Sequence, residues 1–281
     1  MPLATLADVL QPALRNGHAV AGLVTLGWED MRAYALAAQD EGVPVILQAG
    51  PSCRAHTPLP VLGAMIRSLA DSVDVPVVAH LDHGYELDDC KAAIDAGFTS
   101  IMYDGSRKPL DQNIAETAEV ARLSHAAGAS CEGEIGFVGY AEGEASARTD
   151  PADAARFAAE TGIDAMAVSV GNVHLQQTKA ADIDVAAVNA IAAATSVPLV
   201  IHGGSGVPVE MRRHLALTTP VCKFNIGTEL RMSFGTALRA AVERDPARFD
   251  RVAILSEVED PIRAATRPIL SAISKPGDYN A

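Results

Sequence analysis

Eight short apolar segments alternate with helical segments along 281 residues, and this alternation predicts an α/β fold, a (β/α)8 TIM barrel forming a single domain over residues 1–281. The length is ordinary for one such barrel. Hydrophobic residues make up 49% of the chain but aromatic residues only 4%, so Ala, Val, Ile and Leu must fill the core. That composition suits parallel strands covered by Ala-rich helices. An open flavodoxin-like sheet is the alternative, but it usually has only about five or six strands.

The individual strands and helices are predicted from the apolar runs and from the capping residues at their ends. Ala-rich stretches at helical spacing lie between most strands, as in "WEDMRAYALAAQDEG" and "PADAARFAAETG". Gly42, Gly97, Gly128 and Gly162 stand where left-handed C-terminal caps belong, and Asp150-Pro151 reads as an N-cap. One or two further helices are expected after about residue 240, then a loose end. The strands are predicted at 21–26, 43–50, 75–82, 98–105, 129–135, 165–170, 198–204 and 221–227.

Charge and cysteine usage exclude several classes of function. The net charge of −13 argues against a nucleic-acid partner, because phosphate backbones require stripes of Lys and Arg. No apolar run reaches ~18 residues and the N-terminus does not resemble a signal peptide, so no membrane partner is expected. Cys53, Cys90, Cys131 and Cys222 form no CxxC pair, which indicates reduced thiols and a cytoplasmic protein.

Three histidines stand at predicted strand ends, where a barrel places its catalytic groups. His83 closes the third strand, His174 follows the sixth, and His202 ends the seventh. Three imidazoles plus an open position form the ligand set of a catalytic zinc site, although cobalt, manganese and iron accept the same ligands. Any one of these histidines could equally be a packed structural residue. Their shared placement at one mouth favours a metal site.

Acidic residues accompany these histidines. Asp82 precedes His83 in "VPVVAHLDHG", where a regular strand would send the two side chains to opposite faces unless the backbone turns. Asp82 is then a candidate general base, with a helix-capping Asp as the alternative. Asp104 ends the fourth strand, and Glu132 and Glu134 lie on the fifth. Because inward carboxylates are costly unless paired, they are expected to hold a histidine ligand or a second cation, or to form a structural salt bridge.

Glycine-rich turns follow the last two strands. "HGGSG" at 202–206 and "NIGTEL" at 225–230 occupy the loops in which barrels commonly build a phosphate site from backbone N–H groups and a helix N-terminus. Plain turn glycines are the alternative. The loop "GFVGYAEGEASART" after strand five has the length of a mobile lid, and its Glu142 could swing into the site.

Together, "AHLDHG", "FTSIMYDGS", "EGEIGFVG", "IHGGSGVP" and "NIGTEL" resemble the class II, zinc-dependent fructose-bisphosphate and tagatose-bisphosphate aldolases, over nearly the whole chain. The resemblance implies a metal-dependent aldolase that reversibly cleaves a phosphorylated ketose to dihydroxyacetone phosphate and an aldehyde through a zinc-bound enediolate. It implies zinc or another divalent cation, a monovalent cation, a sugar-phosphate ligand and a homodimer or homotetramer.

The same resemblance assigns roles to residues at matching motif positions. It implies His83, His174 and His202 as metal ligands, Asp82 as the catalytic acid/base, and Glu142 as a loop glutamate that assists proton transfer. Asp104 and Glu134 match acidic positions near the metal. The residues implied to hold the phosphorylated donor are Gly203, Gly204, Ser205, Asn225, Ile226, Gly227 and Thr228.

Three departures from the family pattern lie in the substrate half of the site. "GLVTLGWED" stands where family members often carry Asn residues, Gly50 stands where a small polar residue is common, and Leu175 stands where Gly is usual. A non-standard ketose, a donor other than dihydroxyacetone phosphate, or a non-catalytic phosphosugar-binding protein are therefore kept as alternatives. A barrel metal-hydrolase with Asp82 activating water ranks below these, because strand one lacks paired histidines.

Overall fold

Each of the eight parallel strands is hydrogen-bonded to its neighbours in sequence, and β8 returns to pair with β1, which closes the barrel. The computed structural model describes residues 3–141 and 143–275. The predicted fold class and all eight strands are confirmed, with ends that differ by a few residues. The strands are β1 (Val20–Thr25), β2 (Val45–Ala49), β3 (Val77–Gly84), β4 (Ser100–Tyr103), β5 (Ser130–Ile135), β6 (Ala165–Val168), β7 (Leu199–Ile201) and β8 (Val221–Ile226).

Helices alternate with these strands, as the Ala-rich stretches predict. A short 3₁₀ turn, Gly204–Gly206, follows β7. No helix in the described part of the chain is both long and apolar enough to cross a bilayer. The helices are α1 (Leu6–Asn16), α2 (Trp28–Glu41), α3 (Pro51–His56), α4 (Leu59–Asp71), α5 (Leu87–Asp95), α6 (Leu110–Ala126), α7 (Pro151–Thr161), α8 (Val185–Ala194), α9 (Val209–Thr218), α10 (Thr228–Arg244) and α11 (Arg251–Ser274).

The predicted helix ends are confirmed by backbone geometry. Gly42 and Gly162 cap α2 and α7 with φ of 67° and 70°, the left-handed region that glycine adopts without cost. Gly97 and Gly128 take the same conformation one residue beyond the caps of α5 and α6. The Asp150 carboxylate accepts hydrogen bonds from two backbone N–H groups at the start of α7, as an N-cap should.

The barrel interior changes from apolar to polar along the strand direction. At its N-terminal end α1 closes the barrel, and Leu6 and Leu10 pack against Val20, Ile46 and Val78 near the strand starts. Alternate residues of a strand share a face, so the same inward faces continue toward the opposite end. There they carry fully buried polar side chains, which are Gln48, His80, Ser100, Glu132 and Lys223. A charged layer therefore lies directly beneath the C-terminal mouth.

Candidate metal centre and active site

The three histidines found at strand ends meet at the C-terminal mouth of the barrel. Their ring centroids are 4.9 Å apart for His83 and His202, 5.4 Å for His83 and His174, and 5.7 Å for His174 and His202. One ligating nitrogen from each ring lies within 4.8 Å of the others. Closure of the barrel thus brings three imidazoles from distant parts of the chain to one point.

The end of β3 turns so that two neighbouring side chains reach the same cavity. His83 has a left-handed backbone with φ of 54°, and the register between β3 and β4 shifts between Leu81 and Gly84. Asp82 and His83 consequently both line the mouth. Arg54 stabilises the turn by donating a 2.8 Å hydrogen bond to the carbonyl of Asp82 and another to that of His83. A backbone in this sparsely populated region is typical of functional sites.

Carboxylates orient two of the three imidazoles. Asp104 Oδ2 lies 2.7 Å from His83 Nδ1, so that nitrogen carries the proton and Nε2 is left free to ligate. Glu132 Oε1 lies 3.1 Å from His202 Nε2, which leaves Nδ1 of His202 free. Carboxylate partners of this kind fix the ring orientation and raise the basicity of a metal-binding histidine. Asp104 and Glu132 therefore pair with histidines, one of the arrangements expected of inward carboxylates.

The residues at this point fit a divalent cation. His202 Nδ1 and Glu134 Oε2 are 3.3 Å apart, and both are buried without a hydrogen-bond partner among the described residues. Buried polar atoms are rarely left unsatisfied, so the pair indicates a group that the protein itself does not supply. Burial lowers the pKa of His174 to about 3, which keeps that imidazole neutral with a lone pair. For His202, burial is outweighed by Glu134 and Glu132, which raise its pKa to about 10. The surroundings of His202 thus favour positive charge.

A lysine that sequence reasoning left without a role lies beneath these ligands. Lys223 on β8 is fully buried, and its Nζ lies 2.7 Å from Glu132 Oε2 and 3.4 Å from His80 Nε2. His80 Nδ1 in turn lies 2.7 Å from Ser100 Oγ. Burial and the charge of Lys223 lower the pKa of His80 to about 3, so His80 is neutral. Lys223 therefore supplies the positive charge that balances the Glu132 carboxylate, which in turn orients His202.

Asp82 is the acidic side chain placed to exchange protons with a bound molecule. Its Oδ1 lies 3.8 Å from His83 Nε2 and accepts a 3.5 Å hydrogen bond from Asn225 Nδ2. Burial opposes its ionisation, but the charges of His83 and His202 outweigh burial and hold the pKa of Asp82 below its ordinary value. A Cβ at Gly50 would lie 3.2 Å from Asp82 Oδ2, so the glycine leaves space beside the carboxylate. An ionised carboxylate at the cavity wall suits a general base.

The loops after β7 and β8 form another wall of this cavity, which has a volume of about 350 Å³. Ser205 Oγ accepts a 3.1 Å hydrogen bond from the Gly227 N–H and so joins the two loops. Gly204 and Ile226 are buried behind the wall. Of the seven residues expected to hold a phosphorylated donor, those that line the cavity are Gly203, Ser205, Asn225, Gly227 and Thr228.

The loop after β5 is attached to the segment that carries His174. The Ala141 N–H donates a 3.0 Å hydrogen bond to the His174 carbonyl, and the His174 N–H donates a 2.8 Å bond to that of Gly139. The Tyr140 ring centroid is 5.2 Å from that of His174. Glu142 lies outside the described residues, so its predicted role in proton transfer stays a prediction.

Leu175 faces the cavity from an unusual backbone conformation. Its φ is 57°, and 51% of its surface is exposed at the mouth. For an L-residue with a Cβ this conformation costs about 1–2 kcal/mol relative to glycine. Leu175 therefore has a backbone conformation that suits glycine, and its apolar side chain lies at the rim of the cavity.

Comparisons with known proteins agree over almost the full chain. A family model described as fructose-bisphosphate aldolase class-II matches residues 4–277. The chain is 36% identical over 272 residues to a fructose-bisphosphate aldolase of Geobacillus stearothermophilus, covering 94% of each. It is 34% identical over 265 residues to a 6-phospho-5-dehydro-2-deoxy-D-gluconate aldolase of Shouchella clausii, covering 92% of this chain and 89% of that one. The crystal structure of the YdjI aldolase from Escherichia coli K12 matches with a TM-score of 0.84 at 28% identity, covering 98% of each chain.

Proposed function

Since the chain belongs to the class II fructose-bisphosphate aldolase family, we propose that it cleaves a phosphorylated ketose to dihydroxyacetone phosphate and an aldehyde, using zinc. Family membership makes it a metal-dependent aldolase, a carbon–carbon lyase. The observation that carries the proposal is the convergence of His83, His174 and His202 beside the Asp82 carboxylate in one cavity. Three imidazoles with an open position would hold a catalytic cation.

Asp82 would move the proton at the bond that breaks. In the cleavage direction its carboxylate takes the proton from the C4 hydroxyl, the C3–C4 bond breaks and the aldehyde leaves. The electron pair remains on the donor fragment as an enediolate. A bound divalent cation would supply Lewis-acid stabilisation of that negative charge. Glu142 is proposed to return a proton to C3 and so yield dihydroxyacetone phosphate.

The loops after β7 and β8 would hold the donor phosphate. Gly203, Ser205, Gly227 and Thr228 line the cavity there, and α10 begins at Thr228 with its N-terminal N–H groups. A helix N-terminus and closely approaching backbone favour a phosphate even in an acidic protein. A monovalent cation beside this phosphate also belongs to the proposal.

The aldehyde half is the part of the substrate that the family leaves open. The relatives named above act on fructose bisphosphate and on 6-phospho-5-dehydro-2-deoxy-D-gluconate. Cleavage of either ketose between C3 and C4 gives the same donor, but the aldehyde carries a phosphate in the first case and a carboxylate in the second. We therefore propose dihydroxyacetone phosphate as the donor fragment and do not assign the aldehyde.

A cytoplasmic setting and an oligomeric state also belong to the proposal. The four cysteines are free and buried, which suits a reducing cytoplasm. A homodimer or homotetramer is proposed from the family resemblance.

Proton exchange into dihydroxyacetone phosphate tests this function without a choice of aldehyde. We expect the zinc-loaded protein in heavy water to remove one C3 proton stereospecifically, observed as loss of one proton signal by NMR. A chelator should abolish the exchange, because the enediolate would no longer be stabilised. His202→Ala should lose both bound zinc and exchange, whereas the half-exposed His125→Ala should keep both. Absence of exchange with full zinc would exclude dihydroxyacetone phosphate as the donor.

Leu175→Gly tests whether the altered rim restricts the substrate. We expect kcat/KM for fructose 1,6-bisphosphate to rise because the cavity widens, and the free energy of unfolding to rise by ~0–1 kcal/mol because the left-handed strain is relieved. Leu175→Ala is the matched control, since it shortens the side chain but keeps the strain. Unchanged kinetics in both variants would show that Leu175 does not set specificity.

A further inference from the structure

Asp82 and His83 lie in a part of β3 where the sheet does not pair with the backbone. The pairing of β2 with β3 ends at Leu81, and the pairing of β3 with β4 passes from Leu81 directly to Gly84. Among the described residues, the carbonyls of Asp82 and His83 therefore have no partner on a neighbouring strand. The His83 N–H donates to a weak acceptor, Met102 Sδ, at 3.4 Å. Because buried backbone groups are rarely left unpaired, this irregular turn requires partners from outside the sheet.

A single side chain supplies the partner of both carbonyls. Arg54 on α3 donates from Nη1 to the Asp82 carbonyl at 2.8 Å and from Nη2 to the His83 carbonyl. The Arg54 side chain is only 12% exposed, so these bonds lie in surroundings of low dielectric, where hydrogen bonds are stronger than in water. Because a guanidinium is planar and its N–H groups have a fixed separation, Arg54 fixes the two carbonyls relative to each other.

These two hydrogen bonds determine the backbone angles of His83. The Asp82 carbonyl belongs to the peptide plane before the His83 Cα, and the His83 carbonyl belongs to the plane after it. Fixing the orientation of both planes fixes φ and ψ of His83, whose φ is 54°. That left-handed conformation costs free energy for a residue with a Cβ and persists only where the surroundings impose it. The same turn brings both side chains to the cavity, where Asp82 Oδ1 lies 3.8 Å from His83 Nε2.

The other side of the turn is bound by a carboxylate that faces Arg54. Asp89 Oδ2 accepts hydrogen bonds from the N–H groups of Tyr85 and Glu86, at 3.2 Å and 3.4 Å. It lies 3.9 Å from Arg54 Nη2. A cation thus binds the carbonyls of the segment 82–86, and the anion paired with that cation binds its N–H groups.

We propose that Arg54 is a positioning residue for the reaction, which orients Asp82 toward the substrate and His83 toward the cation through the backbone that joins them. The proposal rests on the proposed aldolase function. Since the Arg54 N–H groups bind main-chain carbonyls, Arg54 acts through these two residues and not by contact with the substrate. Misplacing a reacting group by about 1 Å can lower a rate about 10²-fold, so loss of Arg54 should act on turnover. The proposed donor loops follow β7 and β8, whereas Arg54 follows β2, so KM should change little.

Arg54→Ala tests this role, with fructose 1,6-bisphosphate as the probe for cleavage. At saturating zinc, kcat should fall by about 10²-fold while KM changes by less than about threefold. The dissociation constant for zinc should rise by about 10- to 100-fold, because the orientation of His83 is no longer fixed. Added guanidinium ion can occupy the space that the arginine head group leaves, and it should raise kcat about tenfold and restore part of the zinc affinity. A folding defect would be worsened by this denaturing ion, so rescue distinguishes positioning from folding.

Three further variants complete the test. Arg54→Met fills the space that guanidinium ion would occupy, so it should lose as much turnover as Arg54→Ala and show no rescue. Arg54→Lys keeps the charge without the paired donors, and it should fold like the parent and show an intermediate loss of kcat. Arg122→Ala removes an arginine whose side chain is 63% exposed, and it should leave kcat, KM and zinc affinity unchanged.

The outcomes that would overturn the proposal are distinct from failure of the proposed function. Parent-like kcat and zinc affinity in Arg54→Ala, or losses that guanidinium ion never restores, would overturn the positioning role. Should Arg54→Ala not fold, parent-like kcat and zinc affinity in Arg54→Lys would overturn it equally. Lost proton exchange into dihydroxyacetone phosphate in the parent enzyme would instead overturn the proposed function, and the zinc dissociation constants with and without guanidinium ion would then decide the role of Arg54.

Discussion

Asp82→Asn is expected to keep its zinc and to lower kcat for ketose cleavage by about 10²- to 10⁴-fold, the usual contribution of a positioned acid–base group. The substitution keeps the shape of the side chain and its contact with Asn225, which lies 3.5 Å from Oδ1. It removes the carboxylate that is proposed to take a proton from the C4 hydroxyl. Because His83, His174 and His202 are untouched, metal content should stay at the level of the parent enzyme. Steady-state kinetics and zinc analysis of the same preparation measure both quantities.

The proton-exchange reaction makes this test sharper. Under the proposed function Glu142 moves the C3 proton and Asp82 the C4 hydroxyl proton, so Asp82→Asn should retain exchange into dihydroxyacetone phosphate while losing cleavage. Glu142→Gln should show the opposite pattern, in which proton exchange into dihydroxyacetone phosphate is reduced more than ketose cleavage. Asp88→Asn, whose side chain is 96% exposed, is the matched control for loss of a carboxylate. Full turnover by zinc-replete Asp82→Asn would exclude Asp82 as the group that moves the C4 proton.

The barrel could be predicted from the sequence because each strand has a local sequence signal. Each strand is an apolar run bounded by turn residues, and Gly42 and Gly162 end helices through a conformation that is local to the glycine. The convergence of the candidate metal ligands was also predictable, since His83 and His202 lie at or directly after strand ends and a parallel barrel gathers those ends at one mouth. The left-handed backbone at His83 could not be predicted from the sequence alone, because it depends on the register shift between β3 and β4.

What sequence reasoning missed depends on contacts between distant strands. Lys223 stands in the apolar run "VCKFNIG", and its partner Glu132 is three strands away on β5, so only the closed barrel shows that the two meet. A lysine flanked by buried residues inside a strand was the available signal. Arg231 was missed for a related reason, since a charged residue in the first turn of an outer helix ordinarily faces solvent. In the structure Arg231 instead lines the active-site cavity.

Lys223→Met is expected to lower the free energy of unfolding by about 3–5 kcal/mol, because it leaves the buried Glu132 carboxylate without its cation. Lys223 and Glu132 are both fully buried, and their 2.7 Å ion pair lies in the layer beneath the candidate metal ligands. The loss should be measured by denaturant unfolding with chelator present, since bound metal would add its own stabilisation. Lys91→Met removes an exposed lysine paired with Asp88 and should change the free energy of unfolding by less than about 0.5 kcal/mol.

The double variant Lys223→Met/Glu132→Gln decides whether the effect belongs to the charge pair. Removing both charges eliminates the uncompensated carboxylate, so the double variant should recover much of the stability that Lys223→Met loses. Its zinc affinity should nevertheless fall by about 10- to 100-fold, because a neutral amide orients His202 less strongly than the carboxylate 3.1 Å from its Nε2. Stability and metal affinity would then separate, because stability would depend on the balance of the two buried charges and metal affinity on the Glu132 carboxylate. If Lys223→Met were as stable as the parent protein, or if the double variant recovered nothing, the buried pair would not be what holds this layer together.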